Sequence, residues 1–461
     1  MPLRDRALAA RRFLDRNLFP DSPPRESRLA GWEKAGLLAA LLALAIVAQL
    51  ARIGWTGSLN SLWAEDGSIF VQGALNGSFL HTIGSEYSGY LVLFPRLVGE
   101  AASALPLRDA PAVVSVLSAL LVALSGFAVW HASAGHLANP YLRGTLALLT
   151  VLTPVGGLET IDSASNVSWY MLVAVFWLLL WRPRSQRGAL LAAAFIALAA
   201  LSNPGTWFFL PLAALRAFAV RDRRDLTIVL AYFGAGAAQL IALAVSSYEA
   251  IEPVWTSDIW TVLLQRVFDG MAFGLRLGGH AWIELGWPFL IVLTALLVAG
   301  LIAGFARSGW RGRCFAAVAV PIALVMFVAS VYQRAVGTPM LWPAGAYGGQ
   351  AGRYAIVPVM LLISVAFVFI DRPPRPRAEW AGRDWLVAGA VALMAISVAV
   401  SLPARELAAR GTPPWDASLD AAAAECARKP GEATLAISPP SFLMTLPCGA
   451  IPPSSDPPAQ R

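Results

Sequence analysis

Trp63-Ala64-Glu65-Asp66-Gly67-Ser68-Ile69-Phe70 places two adjacent carboxylates directly after the first hydrophobic run of the chain, and Gly89-Tyr90-Leu91-Val92-Leu93-Phe94-Pro95-Arg96 sets an arginine inside an otherwise apolar stretch two dozen residues later. The surrounding chain is very hydrophobic. Of its 461 residues, 57% are hydrophobic and only 14% charged, and the mean hydropathy is +0.62. Soluble domains carry about a quarter charged residues, so this composition belongs in a bilayer. Charges are costly near lipid, and their placement is the first clue to chemistry.

The formal net charge is +7. The arginines cluster in short loops between apolar runs, which is a topology signal and not a nucleic-acid-binding face. Seventeen tryptophans suit a protein with two membrane interfaces. A spanning helix needs roughly 20 apolar residues. The runs that approach this are 36–53, 111–130, 142–157, 167–181, 188–203, 205–221, 226–246, 285–306, 314–332, 354–371 and 385–402, about eleven spans. The expected fold is therefore an all-α integral membrane protein. Residues 1–35 form a basic cytoplasmic tail, 36–402 the polytopic domain and 403–461 an extracytoplasmic segment.

The loops fix the orientation. With the N-terminus inside, Arg182-Pro183-Arg184-Ser185-Gln186-Arg187, Arg221-Asp222-Arg223-Arg224, Arg307–Arg313 and Arg372–Arg377 all fall on the cytoplasmic side. The longer segments 54–110, 247–284 and 333–353 fall outside. The Ala- and Arg-rich composition points to a bacterial cytoplasmic (inner) membrane. An odd span count puts Cys426 and Cys448 outside the cytoplasm, where a pair in one polar segment reads as a disulfide. In that segment 435–437 and 442–446 read as short strands, and the tail is placed to cover the site or bind a growing glycan.

The run 89–107 is almost long enough to cross. It contains Pro95, Arg96 and Glu100, and reads as a helix lying in the interface, or a partly re-entrant one, with Arg96 facing the protein interior. With an interfacial helix over 69–83, it makes the first external loop, 54–110, a structured lid.

A carboxylate at a partly desolvated, lipid-bordered site can take a proton from a hydroxyl. Neighbouring residues diverge by about 100° on a helix. A single base is therefore expected, Asp66, with Glu65 supporting it, although an acidic pair can also hold a divalent cation. A long first external loop that opens on an acidic pair just after the first span, and carries amphipathic juxtamembrane helices, resembles the membrane glycosyltransferases of the C superfamily (GT-C). The resemblance covers mainly residues 36–130 and the multi-span plan.

It implies a sugar donor linked to polyprenyl phosphate, a glycan or lipid acceptor, work on the non-cytoplasmic face, and a role in cell-envelope polysaccharide biosynthesis. In that family the acidic residue of the first loop is catalytic. The matching position is Asp66, but the order here is Glu-Asp where some relatives have Asp-Glu, which leaves the assignment open between Glu65 and Asp66.

A departing polyprenyl phosphate is an anion and calls for a cation, and arginine engages two phosphate oxygens at once. The external candidates are Arg96, Arg334 and Arg353, the last at the end of the flexible Gly348-Gly349-Gln350-Ala351-Gly352 approach and followed by Tyr354. Glu159 and Asp162, in a short loop, either hydrogen-bond sugar hydroxyls or cap the following helix, and Tyr90 either stacks on a sugar ring or belongs to the interfacial aromatic belt. His81, His131, His136 and His280 do not form a metal-ligand spacing, and no phosphate-loop or nucleophile-elbow motif is present. The rival class is a transporter or lipid-linked-oligosaccharide flippase, which would carry its charges near the bilayer midplane on broken helices.

Overall fold

The computed structural model describes residues 3–23, 30–248, 258–334, 352–374, 379, 381–402 and 413–453. Every one of the expected apolar runs is helical, but they differ in length. Among the described residues, seven helical stretches are long and apolar enough to cross a membrane: Gly31–Leu50, Leu107–Gly135, Arg223–Val245, Ile259–Arg307, Trp310–Gln333, Arg353–Ile370 and Gly382–Ser401. The other four runs form shorter helices, Pro140–Val151, Ser168–Leu180, Gln186–Ala200 and Leu210–Phe218. The 13 residues of Ser168–Leu180 rise about 20 Å, less than the roughly 30 Å of a hydrocarbon core. Punctuation cuts these runs short, as at Pro183 and at Asn203-Pro204.

The shortness is tolerated because these elements are inside the protein. Ser168–Leu180 is apolar all round, and all of it but Trp169 is buried, as a fully surrounded helix must be. Arg353–Ile370 packs beside it. Gly31–Leu50 and the later part of Ile259–Arg307, from about residue 280 on, instead expose most of their apolar surface, including Leu37, Leu44, Ile291 and Leu296. This is the pattern of a multi-pass membrane protein.

Two expectations about the outer segments change. The stretch 247–284, expected as a loop, is helical from Asp258 onward: Asp258–Leu263 leads through a π-helical turn, Leu264–Asp269, into Gly270–Arg307. That last helix is interrupted at Gly274 (φ 70°) and Gly286 (φ 62°), conformations that favour glycine. The first loop is also more finely divided than two helices. It runs through Trp55–Leu59, the π-helical turn Asp66–Val71, Gln72–Asn76, Phe79–Gly84 and a hairpin pairing Glu86–Tyr87 with Tyr90–Leu91, then Leu93–Ser103.

Ser88 (φ 53°) and Gly89 (φ 83°) make the two-residue hairpin turn, whose type requires φ > 0 at both positions. Buried Gln239 completes the hairpin edge, accepting from Leu91 N at 2.8 Å and donating to Leu91 O at 3.1 Å. Gly89–Leu107 is thus strand and then an 11-residue helix, not one interfacial helix. It does not cross.

The arginine-rich loops expected on one side do meet. Arg182 bonds Asp15, Asp225 and the carbonyls of Phe19 and Ala219. Asp371 accepts from Ala138 N and Asn139 N, and Arg311 donates to Gly135 O.

At the opposite end, the tail folds as a helix, Trp415–Arg428, and a hairpin of Glu432–Ala436 with Leu443–Pro447, joined by the Cys426–Cys448 disulfide. Its apolar face, led by Trp415, Leu419, Leu435 and Leu446, packs on Leu62, Val71, Val98 and Leu107 of the first loop.

Candidate functional site

The acidic pair opens the π-helical turn. Ala64, just before it, has φ 36°, a left-handed conformation that costs a non-glycine residue about 1–2 kcal/mol. Asp66 is 1% exposed. Its Oδ1 accepts from Ser165 N at 2.8 Å and its Oδ2 from Ala164 N at 3.1 Å. Burial pushes its pKa up to about 7, against the pull of the Ser165 hydrogen bond and with a further push from the charge of Glu65. The hydroxyls of Ser163 and Ser165 also bond it, and a hydroxyl, unlike a backbone N–H, can turn to accept from a protonated carboxyl.

Glu65 points elsewhere, as neighbours on a helical turn must. It is half-buried and accepts from the Tyr87 hydroxyl at 3.4 Å. Burial first, and the charge of Glu65 next, push the Tyr87 hydroxyl up to about 12.

The loop 163–166 that holds Asp66 carries the site further. Asn166 Nδ2 donates to Glu159 O at 2.9 Å and to the hydroxyls of Ser163 and Ser165 at 3.3 and 3.2 Å. Glu159 in turn grips Arg353, accepting from Arg353 N at 3.1 Å and from its guanidinium at 2.6 Å. Arg353 donates to the Tyr354 hydroxyl at 3.4 Å, and Tyr354 meets the edge of Trp169. Glu65 adds a second attraction on Arg353. The structure therefore joins Glu65, Asp66, Glu159, Arg353 and Tyr354 through one loop.

Other expected residues fall around this group. Arg96 is 7% exposed and lies behind the turn, donating to Ile69 O at 3.4 Å and Glu86 O at 3.3 Å, with its guanidinium over the Phe70 ring. It has no carboxylate partner among the described residues, and burial lowers its pKa. Asp162 (φ 52°) faces the end of the first span, accepting from Ser58 Oγ at 2.5 Å. Tyr90 is half-buried in the hairpin near Tyr87. Arg334 ends the helix Trp310–Arg334, but its side chain lies outside the described residues.

Two features escape a reading from sequence. Ser163-Ala164-Ser165-Asn166 is the loop that holds Asp66, and its turn-forming composition was the only signal for it. The second is the burial of Asp269, which in sequence is one more external carboxylate: it ends the π-helical turn Leu264–Asp269 fully buried, with neither oxygen hydrogen-bonded among the described residues. A side chain at Gly278 would strike its carboxylate, with Cβ 2.5 Å from Oδ2. Among the described residues no group of three or more His, Cys, Asp or Glu side chains is arranged to hold a metal ion.

This arrangement of short buried helices inside longer outer ones, with an acidic first loop at one end, belongs to a known class of polytopic membrane fold. A cryo-EM structure of the arabinofuranosyltransferase AftD from Mycobacteria superposes with a TM-score of 0.50 at 18% identity, over 88% of this chain and 29% of AftD. A second AftD structure, of a mutant form, gives 0.48 at 18% identity over 82% and 28%. The likeness agrees, at the level of fold, with the resemblance to GT-C enzymes. This chain spans less than a third of the length of AftD. By sequence, neither a protein-family model nor a curated protein matches.

Proposed function

We propose that this protein is a membrane glycosyltransferase that moves a sugar from a polyprenyl-phosphate donor to a hydroxyl of a glycan or lipid acceptor, on the extracytoplasmic face of a bacterial inner membrane. The observation that carries the reading is Asp66, a buried carboxylate in the first loop whose pKa is held near 7. A general base works best when its pKa lies near the working pH. Asp66 would take the proton of the acceptor hydroxyl as its oxygen bonds to the anomeric carbon. The bond from that carbon to the phosphate oxygen then breaks, and polyprenyl phosphate leaves as an anion.

Arg353 would receive that charge. Its guanidinium is fixed by Glu159 and remains one-third exposed on the side chain (32%), so the fork is oriented before the anion arrives. Arg96 supports the turn from behind and adds positive potential. Glu65 would orient Asp66 or the acceptor. The eleven-span topology, with the N-terminus inside and residues 403–461 outside, belongs to this proposal. So does a divalent cation at the acidic pair.

The transporter reading is favoured by one observation: Asp269, with no hydrogen-bond partner among the described residues, leads directly into an apolar helix broken at Gly274 and Gly286. Purified protein in liposomes separates the two. Polyprenyl-phosphate-linked sugars, beginning with arabinofuranose by likeness to AftD, are offered with a hydroxyl acceptor. Transfer that depends on Asp66 supports the transferase. Movement of the lipid between leaflets with no sugar consumed would replace it by the flippase.

A further inference from the structure

The tail binds the first loop through backbone hydrogen bonds, and these fall on the residues that frame the acidic pair. Ser438 N donates to Leu62 O at 3.0 Å, and Ser438 O accepts from Ala64 N. Trp63, between them, forms a parallel bridge with Ser438. On the other side of the pair, Gly67 is pressed so closely by Ile437 that a Cβ there would lie 2.9 Å from its Cδ1. One turn further, Thr445 N donates to Gln72 Oε1 at 2.9 Å. Before the pair, Asn60 exchanges hydrogen bonds with Asp416, accepting from its N–H at 3.1 Å and donating to its carboxylate at 3.0 Å.

These contacts bear on Ala64. Its φ of 36° is the residue's main conformational penalty, and such conformations persist only where the surroundings enforce them. The loop alone offers no glycine at this position to relieve it. Ser438 supplies the enforcement by fixing the Ala64 amide, and Ile437 closes the space next to Gly67. Released from the tail, Ala64 would return to a right-handed or extended conformation and turn Glu65 and Asp66 away from Ser165 and Tyr87.

We propose that the disulfide-linked tail is a positioning element for the acidic pair, with the Ser438 backbone holding Ala64 in its left-handed conformation. The inference rests on the glycosyltransferase reading for its kinetic consequence, but its structural half stands apart from it.

The test uses the full chain in lipid nanodiscs, with Cys426→Ser/Cys448→Ser and, separately, Ile437→Ala to loosen the tail. Hydrogen exchange at residues 60–67 should rise in both, and kcat for sugar transfer should fall by about tenfold or more with KM little changed. Ala64→Gly, introduced into either loosened chain, should recover most of that loss, because glycine adopts the left-handed conformation without a clamp. A merely structural tail would lower the amount of folded protein and show no such rescue.

Unchanged exchange at 60–67 in both loosened chains, or no recovery of slowed exchange and rate by Ala64→Gly, overturns the clamp. If the parent consumes no lipid-linked sugar, the transferase reading fails. The exchange measurements on the same four proteins then decide the clamp by themselves.

Discussion

The helix Ser168–Leu180 has a polar cluster at each of its ends, about 20 Å apart, and the two are built on different rules. Beyond Leu180, Arg182 and Arg216 are both buried and share the carboxylate of Asp225, at 2.6 and 3.0 Å. Their other donors, apart from Arg216 Nε, reach Asp15 and the carbonyls of Phe19, Ala219, Leu179 and Trp181. Arg221 donates its backbone N–H to Asp225 as well. Before Ser168, Asp66 is equally buried but has no cation beside it among the described residues, only neutral donors, the N–H groups of Ala164 and Ser165 and the hydroxyls of Ser163 and Ser165.

Burying a carboxylate with its counter-ion yields a lock, because the charge is already balanced. Burying one without a counter-ion leaves it ready to accept a proton. The difference separates scaffold from chemistry more clearly than residue type does.

The largest effects should come from removing one carboxylate at each end. Asp225→Ala leaves the buried Arg216 with no carboxylate bonded to it among the described residues and Arg182 with Asp15 alone, and breaking such a buried pair costs about 3–5 kcal/mol. We expect the variant to lose most of its folded yield and to unfold at a markedly lower temperature in detergent, read by fluorescence-detected size exclusion. Asp66→Asn should do the reverse: normal yield, and transfer slowed by about 10²–10⁴, the usual contribution of a general base. Equal rates for Asp66→Asn and parent, measured by consumption of lipid-linked sugar, would remove Asp66 from the chemistry. Glu65→Gln is the control for the assignment within the pair and should cost less than Asp66→Asn.

The pH dependence should follow the same division. Asp66 binds its proton more tightly in the folded chain, with its pKa raised from 3.8 to about 7. As a base it must be ionised, so kcat/KM should rise about tenfold per pH unit below about 7 and level off above it. The linkage has the opposite sign for stability. Because the folded state holds the extra proton, stability is lost as pH rises from about 4 toward 7, and Asp66→Asn should abolish that slope. A rate that is flat from pH 5 to 8 would disconnect the raised pKa from catalysis.

Sequence carried the first of these clusters well and the second only in part. The arginine-rich loops announced themselves by composition, and the contacts among 15–22, 182–184 and 216–225 follow from charges that must meet. The acidic pair, the cysteine pair and the Glu159–Arg353 ion pair were all legible as residues. What could not be read was convergence. Glu159 and Arg353 are far apart in the chain and joined by two hydrogen bonds, of 3.1 and 2.6 Å, and no local pattern encodes that.

The helices shorter than a bilayer were also overestimated, because hydropathy measures apolarity and not whether lipid or protein surrounds it. The hairpin at Ser88-Gly89 was hidden for a related reason. Its strands have two residues each, too few to show an alternating pattern, and their edge is completed by Gln239 from a distant helix.

Asp269 gives the smallest effect and the one whose sign is most informative. It shares full burial with Asp225 but has no hydrogen bond among the described residues. An unsatisfied buried acceptor costs about 1–3 kcal/mol, and more if charged, whereas a satisfied one contributes. Asp269→Asn keeps the shape that Gly278 makes room for and removes the charge. It should therefore raise the unfolding temperature by a few degrees, opposite to Asp225→Ala. A fall would mean that Asp269 has a stabilising partner in the folded protein, and burial without a counter-ion would then no longer mark the sites that are free to act.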